Sequence, residues 1–378
     1  MISFWEQQSF VNADFIIVGG GITGLSAALS LRERHPNKEI ILFERGIFPS
    51  GASTKNAGFA CFGSLTEILS DLKVMREKEL LTLVEARRKG LSKLRKRLGK
   101  SKIDYQQLGG YELISEQESY ALDHLEKINN LLFPLFGEPV FKLKNKLINK
   151  FGFNSAQIKA LVFNPFEGQV DTGKLIKALI RKATQENISI YTGAEVVGIE
   201  QKSKGVDVKV QNSPSEELCF KAKKVLLSTN AFTKKLFPKI ELEPGRGQVL
   251  VTEPIIGLPF KGTFHMDEGF YYFRNFKDRI IFGGGRNLDF KAETTTELNI
   301  TSLIQEDLKL KLEKIILPKI PFKIAQSWAG IMAFGKNKKP IIKKVSPDVA
   351  LSVRLGGMGV AIGTTVGEEG AKIISTND

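Results

Sequence analysis

Gly19, Gly21 and Gly24, spaced G-x-G-x-x-G, and Glu44, twenty residues beyond the last of them, have the types and spacing that hold a dinucleotide. Gly19 permits a tight turn, Gly21 lets the backbone approach a pyrophosphate, and Gly24 lets a helix pack closely on a strand. Glu44 accepts hydrogen bonds from the adenosine ribose hydroxyls. A second glycine-rich turn, Gly356-Gly357-Met358-Gly359, stands near the other end of the sequence. Between the two lie side chains suited to proton transfer or to anchoring a charged substrate: Arg246, His265, Tyr271, Tyr272 and Arg274. His265, one of three histidines, would serve as a base near neutral pH, or else sits hydrogen-bonded in a core.

These residues need particular elements to place them. Residues 15–18 are a short apolar run rich in β-branched side chains, the pattern of a strand buried on both faces. Leu25, Ala28, Leu29 and Leu31 then recur at helical spacing, and residues 40–43 form a second apolar run ending at Glu44. Strand, turn, helix, second strand and terminal acid thus follow one another in about thirty residues, as a dinucleotide fingerprint requires. The helix N-terminus offers unpaired N–H groups and a partial positive charge to the phosphates. The competing reading is a purely structural βαβ unit, and which dinucleotide is bound stays open at this point.

After Glu44 comes a loop rich in Gly and Ser, residues 46–63, and then a helical pattern over 64–98 that Ser64 and Glu67 open as a capping box. Residues 111–114 read as a strand and 121–133 as a helix, while 138–163 show no clear period. Asp171 or Thr172 caps a helix over Leu175, Ile176, Leu179, Ile180 and Ala183. Strands follow at 188–191, 195–200 and 206–210, with a turn at 212–215 and further strands at 218–220 and 224–228. Between Pro244 and Pro321 the strands become amphipathic, at 248–252, 269–274 and 279–283, with a helix near 298–315. Period two puts Tyr272 and Arg274 on one face and Tyr271 and Phe273 on the other, without saying which face meets a ligand. A strand at 350–354 and a helix at 360–374 close the chain.

The 378 residues suffice for two domains with sizeable cores. No apolar run approaches the roughly 20 residues that span a bilayer. The opening MISFWEQQSFVNAD has an early acid and no basic segment before an apolar core, so a cytoplasmic protein is expected. Cys61 and Cys219 read as reduced, buried thiols. The net charge of +14 permits attraction to nucleic acid or acidic substrates, and it is concentrated at 87–102, where nine basic residues stand with no acid. Leu91, Leu94 and Leu98 share one helical face there, so the expectation is an amphipathic helix with a solvated basic side and no specific nucleic-acid partner.

Five segments together resemble the FAD-dependent oxidoreductases of the D-amino-acid oxidase and glycine oxidase family. They are GGGITGLSAAL at the N-terminus, GASTKNAGF at 51–59, VLLSTNAFTKKLFP at 225–238, GRGQVLVTEP at 245–254, and W-x-G at 328–330 with GGMGVAIG at 356–363. GASTKNAGF is most similar to the loop of the amine-oxidising, γ-glutamylputrescine oxidoreductase-like members. The resemblance implies an α/β fold with a Rossmann-type FAD-binding domain assembled from discontinuous segments, 1–84, 152–242 and 325–378. A substrate domain, 85–151 and 243–324, would be inserted between them as an α+β unit on an antiparallel sheet.

The same resemblance implies FAD, held by Gly19, Gly21, Ile22, Thr23, Gly24, Glu44, Arg45, Ser53, Lys55, Asn56, Ala57, Gly58, Val196, Val197, Thr229, Asn230, Gly357, Met358, Gly359 and Val360. It implies oxidation of a C–N bond in an amine or an N-substituted amino acid, with hydride passing to flavin N5, hydrolysis of the imine, and oxygen or another acceptor taking the electrons. Lys55, Tyr272, His265 and Arg274 are the expected catalytic residues, and no metal is expected. Lys55 stands where relatives carry Arg or, in some covalent flavoproteins, His, and no cysteine follows W-x-G at 331–340, so non-covalent FAD is expected. Met332 stands where amino-acid-oxidising relatives carry an arginine for the substrate carboxylate, which favours an amine unless Arg246, Arg274 or Arg354 takes that task. The alternatives are a NAD-dependent dehydrogenase and a flavin-fold protein that binds or acts on tRNA.

Overall fold

In the computed structural model, which describes residues 2–213 and 216–376, the strand Asn12–Val18 lies inside an eight-stranded sheet. Its last four residues are all buried, so both faces must be covered, which is why the run is apolar throughout. It pairs in parallel with Ile40–Glu44 on one side and with Glu216–Leu227 on the other. Ser189–Thr192 and Val349–Val353 extend the parallel set, and Ile341–Ser346 closes one edge antiparallel. Glu216–Leu227 is one long strand where the sequence suggested two, because its first half pairs antiparallel with Val206–Ser213, itself paired to Val196–Gln201. The turn expected at 212–215 falls partly on Pro214 and Ser215, outside the described residues.

Two helices bring their N-termini to the same end of this sheet. Ile22–Arg34 follows the first strand, and Gly359–Ser375 follows Val349–Val353. They can lie side by side because Gly363 and Gly367 have no side chains. A Cβ at Gly363 would stand 2.9 Å from Ile22 Cγ2, and one at Gly367 would run into the Thr23 carbonyl. The helical pattern at 64–98 forms two helices, Leu65–Leu72 and Glu77–Leu98. The first has the expected capping box between Ser64 and Glu67, and Asp171 caps Thr172–Gln185 by accepting from the Lys174 N–H.

The second large sheet runs Ile324–Phe334, Glu243–Thr252, Arg279–Gly284, Tyr271–Phe276, Thr263–Met266, Gly110–Ile114, Ala160–Asn164 and Lys142–Leu143. All its pairings are antiparallel except that of Thr263–Met266 with Gly110–Ile114. Its membership differs from the expected boundaries. Ala160–Asn164 and Ile324–Phe334, assigned from sequence to the cofactor side, belong to this sheet, whereas Glu77–Leu98 packs its leucines with the cofactor-side core. The expected cut at residue 84 falls inside that helix. Strands exchanged between sheets carry no local signal, because their periodicity is the same in either place.

One face of this sheet is an aromatic core. Phe264 and Phe273 are paired across neighbouring strands and stack with ring centroids 4.6 Å apart, and Tyr111 stacks on Phe264 at 5.0 Å. That fixes the register of the other face, where His265 pairs with Tyr272 and Thr263 with Arg274. Tyr271 belongs to the core face, its hydroxyl donating to Asp307 at 2.7 Å. No helix among the described residues is long and apolar enough to cross a membrane.

Candidate active site

A cavity of about 420 Å³ runs from the end of the first sheet to the inner face of the second. Its first half is a cradle. Gly19 has φ +110°, and a Cβ on it would lie 2.8 Å from the Ser228 carbonyl oxygen. A Cβ on Gly21 would lie 2.7 Å from Ser53 Oγ, which accepts the Ile22 N–H at 3.0 Å. Glu44 is buried and accepts from the Gly20 N–H and the Gly46 N–H, each at 3.0 Å, so its carboxylate ties the glycine turn to the next loop. Thr23 Oγ1 and Ser228 Oγ, on residues of the cavity wall, are buried without a hydrogen-bond partner among the described residues. Buried hydroxyls in that condition are rare, and a polar ligand in the cradle would satisfy them.

Most of the expected cofactor residues gather here. Gly19, Gly21, Ile22, Thr23, Glu44, Arg45, Ser53, Lys55, Asn56, Ala57, Val196, Thr229, Asn230, Gly357, Met358, Gly359 and Val360 line the cavity. Gly24 stays behind the wall, where a Cβ would strike the Gly19 carbonyl. Val197 points to solvent by the two-residue period of its strand. Gly58 (φ +79°) lies against the Val170 carbonyl and Arg274 instead of the cavity. Gly356 and Gly357 take φ +57° and +82°, which turn the chain into the helix Gly359–Ser375 and aim its N-terminus inward.

The second half is the candidate substrate end, with Phe59, Cys61, Glu67, His265, Glu268, Tyr272, Arg286, Met332, Phe334 and Lys338 in its wall. Tyr272 is the face answer that sequence left open. Burial pushes its phenol up to about 12, and its hydroxyl has no partner among the described residues. His265 Nε2 lies 3.2 Å from Glu167 Oε2, and Nδ1 lies 3.6 Å from Glu67 Oε2. Burial alone would push the imidazole down, but the Glu167, Glu67 and Glu112 carboxylates outweigh it and raise it to about 9. It is therefore a cation at neutral pH, not a free base. Cys61, Glu167 and His265 hold ligand-type atoms within 4.8 Å of one another, yet the histidine and Glu167 already satisfy each other.

Arg274 is not in the cavity wall. It is buried under the 51–58 loop, donating to the carbonyls of Ala57, Val170 and Asn275. Arg246 and Arg354, offered as replacements for the arginine missing at 332, are also engaged elsewhere. Arg246 is clamped to Glu293 through Nε at 2.9 Å and Nη2 at 2.6 Å, and Arg354 donates to the carbonyls of Lys339 and Glu241. Lys55 does line the cavity. Its carbonyl accepts the Trp328 indole N–H at 2.9 Å, while its ammonium has no partner among the described residues.

Sequence reasoning missed Cys61, Arg286, Phe334 and Lys338, and took Glu67 only for a helix cap. The one local signal was Gly283-Gly284-Gly285 ahead of Arg286, a run that marks close backbone approach at a strand end.

The family model "FAD dependent oxidoreductase" (DAO) matches residues 14–373. The chain belongs to this family. Membership makes it an FAD-dependent oxidoreductase and removes the nicotinamide alternative. Within the family it is similar to the "Probable oxidoreductase OrdL" of Haemophilus influenzae, 23% identical over 97% of this chain and 84% of that protein. The Rhizobium meliloti protein of the same description is 24% identical over 94% and 81%. Among solved structures, L-proline dehydrogenase from P. horikoshii superposes with TM-score 0.77 at 21% identity, covering 96% and 93% of the two chains. Glycine oxidase from Geobacillus kaustophilus gives 0.77 at 18%, covering 97% and 95%. Iminodiacetate oxidase from Chelativorans sp. BNC1 gives 0.73 at 17%, covering 96% of each. The cradle described above fits the family's cofactor, with its two helix N-termini, its glycines and its unsatisfied hydroxyls.

Proposed function

We propose that this protein oxidises a C–N bond of an amine or N-substituted amino acid, giving an imine that hydrolyses, with oxygen or another acceptor taking the electrons. The observation that carries this reading is the continuity of the cavity, in which a dinucleotide cradle opens directly onto a wall of ionisable side chains. Among the solved structures that share this fold, the L-proline dehydrogenase and the iminodiacetate oxidase are named for N-substituted amino acids, and the glycine oxidase for a primary one.

FAD, when bound, supplies the hydride acceptor; the chain supplies orientation and electrostatics. Glu44 and the glycine turn would hold the adenosine and pyrophosphate, and the 356–359 turn would direct a helix N-terminus at the flavin end, favouring negative charge there. Glu67 is ionised, because His265, Lys338 and the Ser64 N–H offset the effect of its burial, and it would attract a substrate ammonium. Tyr272 keeps its proton and offers a hydroxyl donor across the cavity. Lys55, at the end of the short helix Ala52–Lys55 beside the flavin end, adds a positive charge with no competing partner among the described residues.

Anaerobic stopped-flow with D-alanine, glycine, sarcosine, proline, putrescine and γ-glutamyl amines, following bleaching of the flavin band, tests the reading. Rapid reduction by at least one amine or N-substituted amino acid is expected. A panel that leaves the flavin fully oxidised would refute it.

A further inference from the structure

The cavity wall carries several cations, and most are already engaged. His265 sits between Glu67 and Glu167, Lys338 pairs with Asp71 at 2.5 Å, and Arg45 lies over the Phe232 ring at the cradle end. Arg286 is different. It follows Gly285 (φ +77°) at the end of the strand Arg279–Gly284, and its guanidinium has no hydrogen bond or ion pair among the described residues. It is held by rings instead, 4.1 Å from the centroid of Phe334 and 4.8 Å from that of Phe290.

Space for this arrangement is built into the sheet. A Cβ on Gly245 would lie 2.5 Å from the Phe334 ring and 3.4 Å from Arg286 Nη1, so only glycine leaves room. Gly245 pairs in register with Met332, and Phe334 stands two residues beyond Met332 on the same strand face. The guanidinium is therefore delivered from the turn after Arg279–Gly284, two strands away from Ile324–Phe334 in the sheet, to the patch of wall that a longer cation at position 332 would serve. The two rings hold the guanidinium carbon, and no hydrogen bond among the described residues uses its N–H fork, a shape that matches a carboxylate bidentately.

We propose that Arg286 is the anion-binding residue of the substrate end, taking the carboxylate of an N-substituted amino acid in place of the arginine absent at Met332. The proposal rests on the C–N oxidation reading for the identity of the substrate, but not for the existence of the carboxylate subsite. Lys55 is a weaker candidate, since its ammonium is a point charge on a flexible stem without rings to fix it. Partial burial also lowers the Arg286 pKa, with Glu293 opposing weakly, as expected for a guanidinium awaiting an anion.

The test is titration of the oxidised holoenzyme with benzoate and with its neutral isostere benzamide, reading perturbation of the flavin absorption. Benzoate is expected to bind saturably and benzamide at least tenfold more weakly. Arg286→Met should weaken benzoate by about 30-fold, and Arg286→Lys by about tenfold, with FAD content and melting temperature unchanged. Arg286→Lys keeps the charge and covers the case in which Arg286→Met does not fold. Equal binding of benzamide, no benzoate binding by the parent enzyme, or benzoate affinity within threefold in Arg286→Met would each overturn the proposal. Loss on Lys55→Met with retention in Arg286→Met would move the anion site to Lys55 and overturn it too. Because no turnover is needed, carboxylate binding without flavin reduction by any amine would refute the oxidation reading alone. Amine-driven reduction without carboxylate binding would refute only the Arg286 assignment.

Discussion

The guanidinium of Arg274 donates to the carbonyl of Val170 at 3.0 Å, which fastens the 51–58 loop to the start of the helix Thr172–Gln185 from beneath. It also holds the Ala57 carbonyl, and among the described residues no carboxylate pairs with it. Burial lowers its pKa to about 10, against the pull of Asp171 and Asp104, and that value still leaves it charged at neutral pH. A buried charge satisfied by carbonyl dipoles is a brace. Arg274→Met should therefore cost about 3 kcal/mol of stability and loosen FAD retention, with the reduction rate per bound flavin within threefold of the parent. Thermal unfolding and single-turnover kinetics would check this, and a selective loss of rate with unchanged stability would restore a catalytic role.

Glu44 predicts a different pattern. Its two carboxylate oxygens accept the Gly20 and Gly46 N–H groups, leaving the remaining lone pairs for the cofactor. Glu44→Ala removes charged acceptors for both, so FAD affinity should fall by about 1–3 kcal/mol. Quenching of FAD fluorescence on titration into apoprotein measures it. Unchanged affinity would show that the cofactor's ribose is held elsewhere.

How much of this was legible in the sequence depended on whether the signal was local. The first βαβ unit was, because glycine spacing, apolar runs and Glu44 lie within one short stretch. The Ser64–Glu67 capping box and the Asp171 cap were, because caps are read over three residues. The face of Tyr272 was not, since it is set by Phe264 and Phe273 stacking across strands. Nor was the fate of Arg274, Arg246 and Arg354, whose partners at Val170, Glu293 and Glu241 are distant in sequence or on other elements. Arg286 escaped notice because it sits in a single 3-10 turn, Arg286–Leu288, with no periodicity to read, and its ring partner Phe334 is on a distant strand.

The cluster of His265 with Glu67, Glu112 and Glu167 gives stability a definite pH dependence. Glu112 accepts from Ser64 Oγ at 2.7 Å and from the Leu65 N–H at 2.8 Å. Burial raises it to about 7 despite bonds from Thr66 and Ser64. His265 is raised from 6.5 to about 9, where the nearby carboxylates exceed the opposing effect of burial. Both groups bind protons more tightly folded than unfolded, so their contribution is greatest at low pH and is lost as pH rises. For Glu112 it is complete below about 4.5 and lost through about 7; for His265 it is complete below about 6.5 and lost through about 9. The melting temperature should decline from pH 6.5 to 9.5, and His265→Gln should be less stable at pH 6.5 yet show a flatter decline. An unchanged slope in His265→Gln would contradict this account.

The basic helix Glu77–Leu98 does not present a free cationic surface, as the sequence alone suggested. Arg87 is buried and donates to the Phe62 carbonyl at 2.7 Å, and Arg88 donates to the Leu135 carbonyl. Lys93 and Arg97 pair with Glu368, Arg97 also with Glu33, and Arg95 lies over the Tyr105 ring at 4.7 Å. Binding to tRNA should therefore be weak and lost by about 0.15 M salt, with no sequence preference. A mobility-shift series across salt measures it. Tight binding at that salt, abolished by replacing Lys96, Lys100 and Lys102, would mark a nucleic-acid surface after all.

Cys61 bears on how the flavin is held. The expectation of non-covalent FAD rests on Lys55 in place of histidine and on the lack of cysteine at 331–340, but the fold places Cys61 in the cavity wall, its sulfur 3.5 Å from Met358 Sδ. Attachment through cysteine needs a thiolate. Burial raises this thiol well above its usual value, and Glu167 and Glu67 raise it further against the opposing pull of Arg87 and a backbone hydrogen bond, so the nucleophile is withheld. Acid precipitation should release all of the FAD into the supernatant, and Cys61→Ala should behave identically. Flavin fluorescence of pellet and supernatant reads the result. Flavin retained by the parent pellet and released from Cys61→Ala would establish a covalent link through Cys61 and overturn the argument from its suppressed ionisation.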